Sequence, residues 1–368
     1  MKILVINPIL YSGNNGEIPR VKSIKDTMIY NMCIGFKKLG HQVTLLAMND
    51  YKPIDQEKYD FEIIFFRSIF KCLLNDAIPL SFNMCGYIRK NEKQYDLVIS
   101  SEIFQFGSLF TALICPEKTV IWQELTGHQK KLKKIPSKLW HNVVVPLFMS
   151  RLRVVIPRSL PAYNFIKKYK LHVVPGIVDH GINIDIFKCS KIKKHQFISV
   201  AQLIYRKNID SIIKKFNSFL NESSYKDFKL ILAGRGEMEF KLKELVHELD
   251  LDNKVFFLGF ITHERLQQYI SESYALLVNT RQDLNMVSIP ESIVSGTPIL
   301  TNSIPASAKY IDKEKLGIVK NNWDVNEMIS IIENNKLYSD NCRLYRTNLS
   351  TIESAKRIID IYENITNK

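Results

Sequence analysis

The stretch 275–301 constrains the fold more than any other, because it joins three different local patterns. It reads ALLVNTRQDLNMVSIPESIVSGTPILT. The apolar run 275–278 predicts a strand, the polar residues 279–288 predict a loop, and Pro290 is expected to begin a helix that ends at Gly296. Proline suits the first turn of a helix, and glycine suits the position after the last turn. A strand, a loop and a helix in this order predict a parallel α/β sheet.

Two carboxylates in this stretch are candidate ligand-binding groups. Asp283 lies in the predicted loop, and Glu291 lies at the predicted helix start. An open parallel sheet binds its ligands at the carboxyl ends of its strands, which is where both residues fall. The backbone amides around Asn285, Met286 and Val287 are candidates for binding an anionic or hydroxyl-rich group. The alternative is that the two acids only complement the helix dipole.

The same alternation of strands and helices recurs along the chain, which predicts mostly parallel sheets and hence an α/β fold. Two glycine-containing loops follow predicted strands, one with Gly13 and Gly16 and another with Gly234, and each would let a ligand approach the backbone closely. The strands are predicted at 2–8, 41–48, 61–66, 96–100, 119–122, 153–156, 197–202, 228–233, 275–278, 298–300 and 317–320, and the stretch 255–266 is predicted to be a strand followed by a loop.

The stretch 275–301 resembles the donor-site signature of the retaining nucleotide-sugar glycosyltransferases of the GT-B fold, in glycosyltransferase family four (glycosyl transferases group 1). The resemblance implies that Glu291 binds the ribose hydroxyls of a nucleotide and that Asp283 lies by the transferred sugar. The family usually has Glu where this chain has Asp283. By the same resemblance, Gly13 and Gly16 lie under the donor phosphates.

The family resemblance implies further donor-binding residues. His128 falls in the loop where the family carries a histidine that binds the donor sugar; a surface histidine without a ligand is the alternative. Lys207 matches a lysine that neutralises the diphosphate, whereas Gln202 stands where the family has an arginine. Arg206, next to Lys207, is expected to supply the missing charge, because a departing diphosphate develops negative charge.

The resemblance also implies a two-domain architecture. Two Rossmann-like domains, each with a parallel sheet, would face one another across a cleft. We expect an acceptor-binding domain over 1–178, a nucleotide-sugar-binding domain over 179–350, and a C-terminal helix over 351–368 that crosses back to the first domain. A chain of 368 residues is long enough for two cores.

The net charge of +14 is unevenly distributed, since the region 125–178 contains many lysines and arginines and no Asp or Glu. Within it, residues 128–141 set apolar and aromatic side chains among lysines, with Pro136 expected to break any long helix. This mixture favours an anionic membrane surface as partner. A solvated basic face is the second interpretation, and nucleic acid is ranked last because no reading motif is present.

No signal peptide or membrane span is predicted, because the longest nearly uncharged stretch, 97–115, reads as a buried strand and helix. The six cysteines lack metal-site spacing and read as reduced thiols. We therefore expect a cytoplasmic protein, peripheral on the inner face of the cell membrane.

These observations together favour a retaining glycosyltransferase that needs neither a metal nor a cofactor. It would move a sugar from a UDP- or GDP-linked donor to a saccharide or polyprenyl-linked acceptor, in bacterial capsule, exopolysaccharide or O-antigen synthesis. Two other interpretations stay open. One is a degenerate GT-B protein that serves as a binding or scaffold subunit, suggested by Asp283 and Gln202. The other is a nucleotide-sugar epimerase.

Overall fold

The chain forms two compact units. One unit is Met1–Gly181 together with Thr351–Lys368, and the other is Ile182–Ser350. The computed structural model describes residues 1–10, 20–70, 78–129, 134–282 and 286–366.

The first unit contains a six-stranded sheet in which all neighbouring strands are parallel, in the order β3-β2-β1-β4-β5-β6. Its central strand is buried along almost its whole length, as both faces of the sheet are covered. The strands are β1 (Lys2–Ile6), β2 (Gln42–Met48), β3 (Glu62–Phe66), β4 (Leu97–Ser101), β5 (Thr119–Gln123) and β6 (Val154–Pro157).

The helices of this unit begin at short polar caps. Thr27, Ser81 and Ser159 each accept a hydrogen bond from a backbone N–H of the first turn, which satisfies a donor that has no partner within the helix. The helices are α1 (Met28–Lys38), α2 (Phe82–Asn91), α3 (Phe106–Ile114), α4 (Ile135–Leu139), a π-helical segment (Trp140–Met149) and α5 (Leu160–Ile166).

The last helix of the chain belongs to the first unit. A Cβ added to Gly35 of α1 would lie 2.7 Å from the carbonyl oxygen of Thr351, so only glycine allows this close approach. The hydroxyl of Tyr362 donates to the carbonyl oxygen of Asp96 at 2.8 Å. This helix, α13 (Thr351–Thr366), contributes Ile358 to the core of the first unit.

The second unit repeats the architecture with the order β12-β11-β10-β7-β8-β9, and its neighbouring strands are again all parallel. The strands are β7 (Gln196–Val200), β8 (Lys229–Ala233), β9 (Val255–Gly259), β10 (Ala275–Val278), β11 (Ile299–Thr301) and β12 (Gly317–Val319). The helices are α6 (Ile209–Glu222), α7 (Glu239–Glu248), α8 (His263–Glu272), α9 (Ser288–Val294), α10 (Ala308–Lys313), α11 (Val325–Glu333) and α12 (Asn335–Tyr345).

In each sheet, successive strands are added first on one side of the first strand and then on the other, so the strand order reverses at one point. In the first sheet it lies between β1 and β4, and in the second it lies between β7 and β10. Ligands of open α/β sheets bind outside the carboxyl ends of the strands at such a point. The predicted fold class, two Rossmann-like parallel-sheet domains with a returning C-terminal helix, is confirmed.

One expectation about proline was wrong and another was confirmed. The helix expected to begin at Pro290 begins at Ser288. Pro136 was expected to prevent a single long helix over 128–141, and the helix there begins only at Ile135, with Pro136 as its second residue. Both prolines lie in a first turn, where the backbone N–H groups have no intrahelical partner. A proline among the first three residues therefore removes no hydrogen bond.

Candidate functional site

The loops after β7 and β10 are joined at the reversal point of the second sheet. The carbonyl oxygen of Arg206 accepts hydrogen bonds from Thr280 Oγ1 at 2.9 Å and from the backbone N–H of Arg281 at 2.8 Å. Asn279 Nδ2 donates to Ser211 Oγ at 2.9 Å, one turn into α6. These bonds fix the backbone around two of the predicted phosphate-binding residues at the edge of the sheet where ligands bind.

Lys207 is a nearly buried cation in this loop. Only 9% of its surface is exposed, which is uncommon for a lysine. Burial, followed by the nearby charge of Arg206, lowers the pKa of Lys207 to about 8. A phosphate bound nearby would stabilise the charged form of Lys207, which burial disfavours. This interaction would contribute favourably to the binding of an anion.

The glycine loop after β8 packs directly against the loop after β7. Gly234 has a φ of +140°, and a Cβ there would lie 1.9 Å from the carbonyl oxygen of Ala201. A Cβ on Gly236 would lie 2.3 Å from the carbonyl oxygen of Leu203. The structure therefore requires Gly234 for the packing of two loops, in addition to any contact with a ligand.

Glu291 lies in the first turn of α9 and is 7% exposed. Its backbone N–H donates to the carbonyl oxygen of Val287, and its own carbonyl oxygen accepts from Ser295 Oγ. Burial raises the pKa of its carboxyl group to about 8. A strongly shifted carboxyl group beside a ligand-binding loop is a frequent property of functional residues.

The predicted site residues Met286 and Val287 differ in their exposure to solvent. Met286 is buried in the core of the second unit, while Val287 is half exposed immediately before α9. The residues that lie outside the described part of the chain are Gly13, Gly16, Asp283 and Asn285.

His128 lies in the first unit, and both nitrogens of its ring form hydrogen bonds with side chains of the same unit. Nδ1 is 3.1 Å from Ser137 Oγ, and Nε2 is 3.2 Å from Tyr169 Oη. The ring also packs against His141 and Phe165, with centroid distances of 5.1 and 5.2 Å. Burial and the surrounding lysines lower the pKa of His128, so its neutral form is favoured. Binding a sugar would require one of these two hydrogen bonds to be exchanged.

Arg281 is a site residue that the motif did not reveal. Its guanidinium group lies 4.2 Å from the ring centroid of Tyr205 and pairs with Asp210 Oδ2 at 3.2 Å. These contacts hold Arg281, which follows β10, beside the loop after β7 that carries Arg206 and Lys207. The contact joins residues about 70 positions apart, so no local sequence pattern could have indicated it.

A family model matches part of the second unit. Residues 184–347 match the family model Glycosyl transferases group 1, and this match includes Arg206, Lys207 and Glu291. The predicted resemblance to that family is thus confirmed for this part of the chain.

Relatives and solved structures extend the similarity to the whole length. An uncharacterized glycosyltransferase of Haemophilus influenzae is 22% identical, over 97% of this chain and 98% of its own. The O-antigen biosynthesis glycosyltransferase WclY of Escherichia coli is 21% identical, over 89% and 96% respectively. The crystal structure of HepE from Anabaena in complex with UDP has a TM-score of 0.65 at 14% identity, over 99% of this chain and 100% of that one. The structural similarity shows a shared fold.

Proposed function

We propose that this protein is a glycosyltransferase that takes a sugar from a nucleoside diphosphate donor. The observation that carries the proposal is that a buried cation and a buried carboxyl group follow two neighbouring strands of the second sheet. Lys207 follows β7 and Glu291 follows β10, and these two strands are neighbours. Both residues lie in the segment that matches the group 1 family. A nucleotide supplies the two complementary partners, a diphosphate anion and ribose hydroxyls.

The proposed roles follow from charge and position. Arg206 and Lys207 neutralise the diphosphate, and Glu291 accepts hydrogen bonds from the ribose hydroxyls. Asp283 and His128 are proposed to contact the transferred sugar. The closely packed loop at Gly234, with the backbone around Met286 and Val287, would line the same site.

The proposed reaction retains the configuration of the transferred sugar and uses no bound metal ion. The bond between the sugar and the diphosphate breaks, and a new bond forms between the sugar and an acceptor hydroxyl. The departing phosphate takes the proton of that hydroxyl, so the protein supplies no general base. Fixed cations such as Arg206 and Lys207 stabilise the charge that develops on the leaving group.

Two other functions compete with this proposal. A scaffold subunit would keep the fold without nucleotide binding, and Gln202 in place of an arginine favours it. An epimerase would bind the same nucleotide sugar and release an altered sugar without an acceptor.

Calorimetric titration of the full chain with UDP, GDP and other nucleoside diphosphates, in the presence of a metal chelator, tests the proposal. We expect one nucleotide to bind selectively and the Glu291→Ala variant to bind it at least about tenfold more weakly, because a hydrogen bond to a charged group contributes about 1.5–3 kcal/mol. Failure of all the nucleotides to bind would favour the scaffold. Conversion of the nucleotide sugar without acceptor would favour the epimerase.

We propose further that the acceptor is a lipid-linked saccharide at an anionic membrane surface. The helix that runs from α4 through the π-helical segment exposes an apolar side chain at every fourth residue. Four residues are close to one full turn in both an α-helix and a π-helix, so these side chains lie on one face. No helix in the described part of the chain is long and apolar enough to span a bilayer. The exposed side chains are Ile135, Leu139, Val143, Leu147 and Phe148.

Positive charge surrounds this apolar stripe (Ile135, Leu139, Val143, Leu147 and Phe148). Lys134 and Lys138 lie beside its first turn, and Arg151 follows its end. Apolar side chains that insert among headgroups, together with basic residues worth about 1 kcal/mol each, are suited to an anionic bilayer. Not all of the basic region is available, because Arg158 is paired with Glu124. The proposed location is the inner face of the cell membrane. We propose a role in surface polysaccharide synthesis because the relative WclY is named as an O-antigen biosynthesis glycosyltransferase.

Flotation with vesicles of mixed phosphatidylcholine and phosphatidylglycerol tests the membrane proposal. The double variant Leu139→Ser with Leu147→Ser should float much less than the unaltered protein. The matched control replaces Leu337 and Leu344 by serine, two equally exposed leucines on α12. Equal flotation of the test and control variants, or no preference for phosphatidylglycerol, would contradict the proposal.

A further inference from the structure

A buried arginine lies at the carboxyl edge of the first sheet, remote in sequence from every residue assigned to the donor. Arg158 directly follows β6, is only 9% exposed, and stacks on Trp122 with its guanidinium carbon 4.5 Å from the ring centroid. Its Nη1 pairs with Glu124 Oε2 at 2.6 Å, and its Nη2 lies 3.4 Å from Asp179 Oδ1. One guanidinium group therefore holds two carboxylates side by side.

The backbone around this cluster is fixed from the neighbouring strand. Glu124 directly follows β5, and Gln123 pairs with Pro157 in the sheet, so Glu124 and Arg158 lie at adjacent strand ends. The carboxylate of Glu102, which follows β4, accepts the backbone N–H of Glu124 at 2.7 Å. Glu102 itself has a φ of +67°, an uncommon conformation for a residue with a side chain.

Each of the two carboxylates keeps one oxygen available. Oε2 of Glu124 and Oδ1 of Asp179 face the guanidinium group, whereas Oε1 and Oδ2 have no hydrogen bond to any described residue. Both side chains are half exposed. In addition, Nε of Arg158 is buried and has no hydrogen-bond partner among the described residues. The cluster thus presents two carboxylate oxygens, Oε1 of Glu124 and Oδ2 of Asp179, that can each accept a hydrogen bond from a ligand.

The charge of Asp179 is consistent with a role in accepting hydrogen bonds from a ligand. Burial alone would raise the pKa of Asp179, but His180 and Arg158 hold it below its usual range, so it remains an anion. Burial and the nearby Glu124 raise the pKa of Glu102 to about 7. Among the described residues, no three His, Cys, Asp or Glu side chains are arranged to hold a metal ion. Hydroxyl groups are donors that suit these oxygens, because an ionised carboxylate only accepts hydrogen bonds.

We propose that Glu124 and Asp179 form a binding subsite for hydroxyl groups of the saccharide acceptor, with Arg158 as the positioning residue. This inference rests on the proposed glycosyltransferase function and assigns the acceptor to specific side chains. The carboxyl ends of parallel strands are the ligand-binding edge of such a sheet, and all three residues lie there or immediately beside it.

The Glu124→Gln variant tests the available oxygen directly. Because Arg158 donates to this side chain, the amide oxygen of Gln would take the place of Oε2 and the amide nitrogen would take the place of Oε1. The outward acceptor then becomes a donor, with almost no change in size. The Asp179→Asn variant makes the same exchange at the second carboxylate. The control is Glu239→Gln, on an exposed carboxylate that pairs with Lys243 in the second unit.

Saturation-transfer NMR of the full chain with methyl glycosides of glucose, galactose, mannose and N-acetylglucosamine, with and without UDP, measures binding at this subsite. We expect at least one glycoside to bind the unaltered protein and the control. Glu124→Gln and Asp179→Asn should each bind it about tenfold more weakly, since each loses a hydrogen bond to a charged acceptor. Arg158→Lys should also weaken it, because lysine cannot hold both carboxylates.

The readouts separate this inference from the proposed function. Binding of UDP should be unchanged in Glu124→Gln and Asp179→Asn, and circular dichroism should show that both variants remain folded. Unchanged glycoside binding in both variants, or no glycoside binding to the unaltered protein, would overturn the subsite while UDP binding upheld the donor site. Failure of UDP, GDP and the other nucleoside diphosphates to bind the unaltered protein would instead overturn the proposed function.

Discussion

The buried carboxyl group of Glu291 predicts that nucleotide binding releases a proton. Burial raises the pKa of Glu291 to about 8, so the group is almost entirely protonated at pH 6.5. Ribose hydroxyls that donate to the carboxylate favour its charged form and lower its pKa. Binding of UDP near neutral pH should therefore be accompanied by the loss of about one proton from Glu291.

The magnitude follows from the size of the shift. At pH 6.5 the group is 8 − 6.5 = 1.5 units below its pKa, so deprotonation costs about 2 kcal/mol at about 1.36 kcal/mol per unit. The affinity for UDP should consequently fall about 15-fold between pH 8, where half of the carboxyl groups are already protonated, and pH 6.5. Because binding favours the deprotonated carboxylate, the affinity for UDP rises with pH until the pKa of Glu291 is passed.

Isothermal titration calorimetry at pH 6.5 in two buffers of different ionisation enthalpy counts the released protons. The unaltered protein should release about one proton more than the Glu291→Gln variant, which has no group to titrate at this position. The variant should also bind UDP about 1.5–3 kcal/mol more weakly at pH 8. The same proton count in both proteins, with measurable binding, would refute the assignment of Glu291 to the ribose.

Three further predictions concern the packing and charge of the donor site. Lys207→Gln should weaken UDP binding at pH 7 and should remove the fall in affinity expected above pH 8, where the unaltered lysine loses its charge; calorimetry over pH 7–9.5 measures both effects. Gly234→Ala should lower the free energy of unfolding by about 1–3 kcal/mol in urea titrations, since the added Cβ is both strained and obstructed. Its control, Gly86→Ala, lies in the exposed helix α2 with open space around it and should instead be neutral or stabilising. Arg281→Lys should weaken UDP binding by about 0.5–1 kcal/mol, and Asp210→Asn should do the same; no change in either variant would show that the ion pair does not position the loop.

Much of the local structure could be predicted because it depends on neighbouring residues. Strand β10 has the predicted bounds, Ala275–Val278, since four consecutive apolar residues end at a polar loop. The stretch 97–115 was predicted to contain a buried strand and helix, and it contains β4 and α3. The start of the helix at Pro290 was mistaken, because a proline signal marks the first turn and does not identify its first residue.

The candidate site was predictable only in part. The spacing around Glu291 and the basic pair at Arg206 and Lys207 carried the family resemblance, which the match over residues 184–347 confirms for that segment. The burial of Glu291 and Lys207, and the resulting shifts of their pKa values, could not be predicted, since desolvation depends on side chains brought in from other elements.

The sequence by itself determined where the strands and helices form, and it marked the loops that carry the chemistry, because hydrophobic periodicity and turn residues act over a few positions. Only the tertiary structure decided which strand ends are neighbours. The pairing of β5 with β6 brings Glu124 to Arg158, and the proximity of the β7 and β10 loops brings Arg281 to Asp210. These contacts join residues 34 and 71 positions apart, and they exist because parallel strands end at a common edge of the sheet.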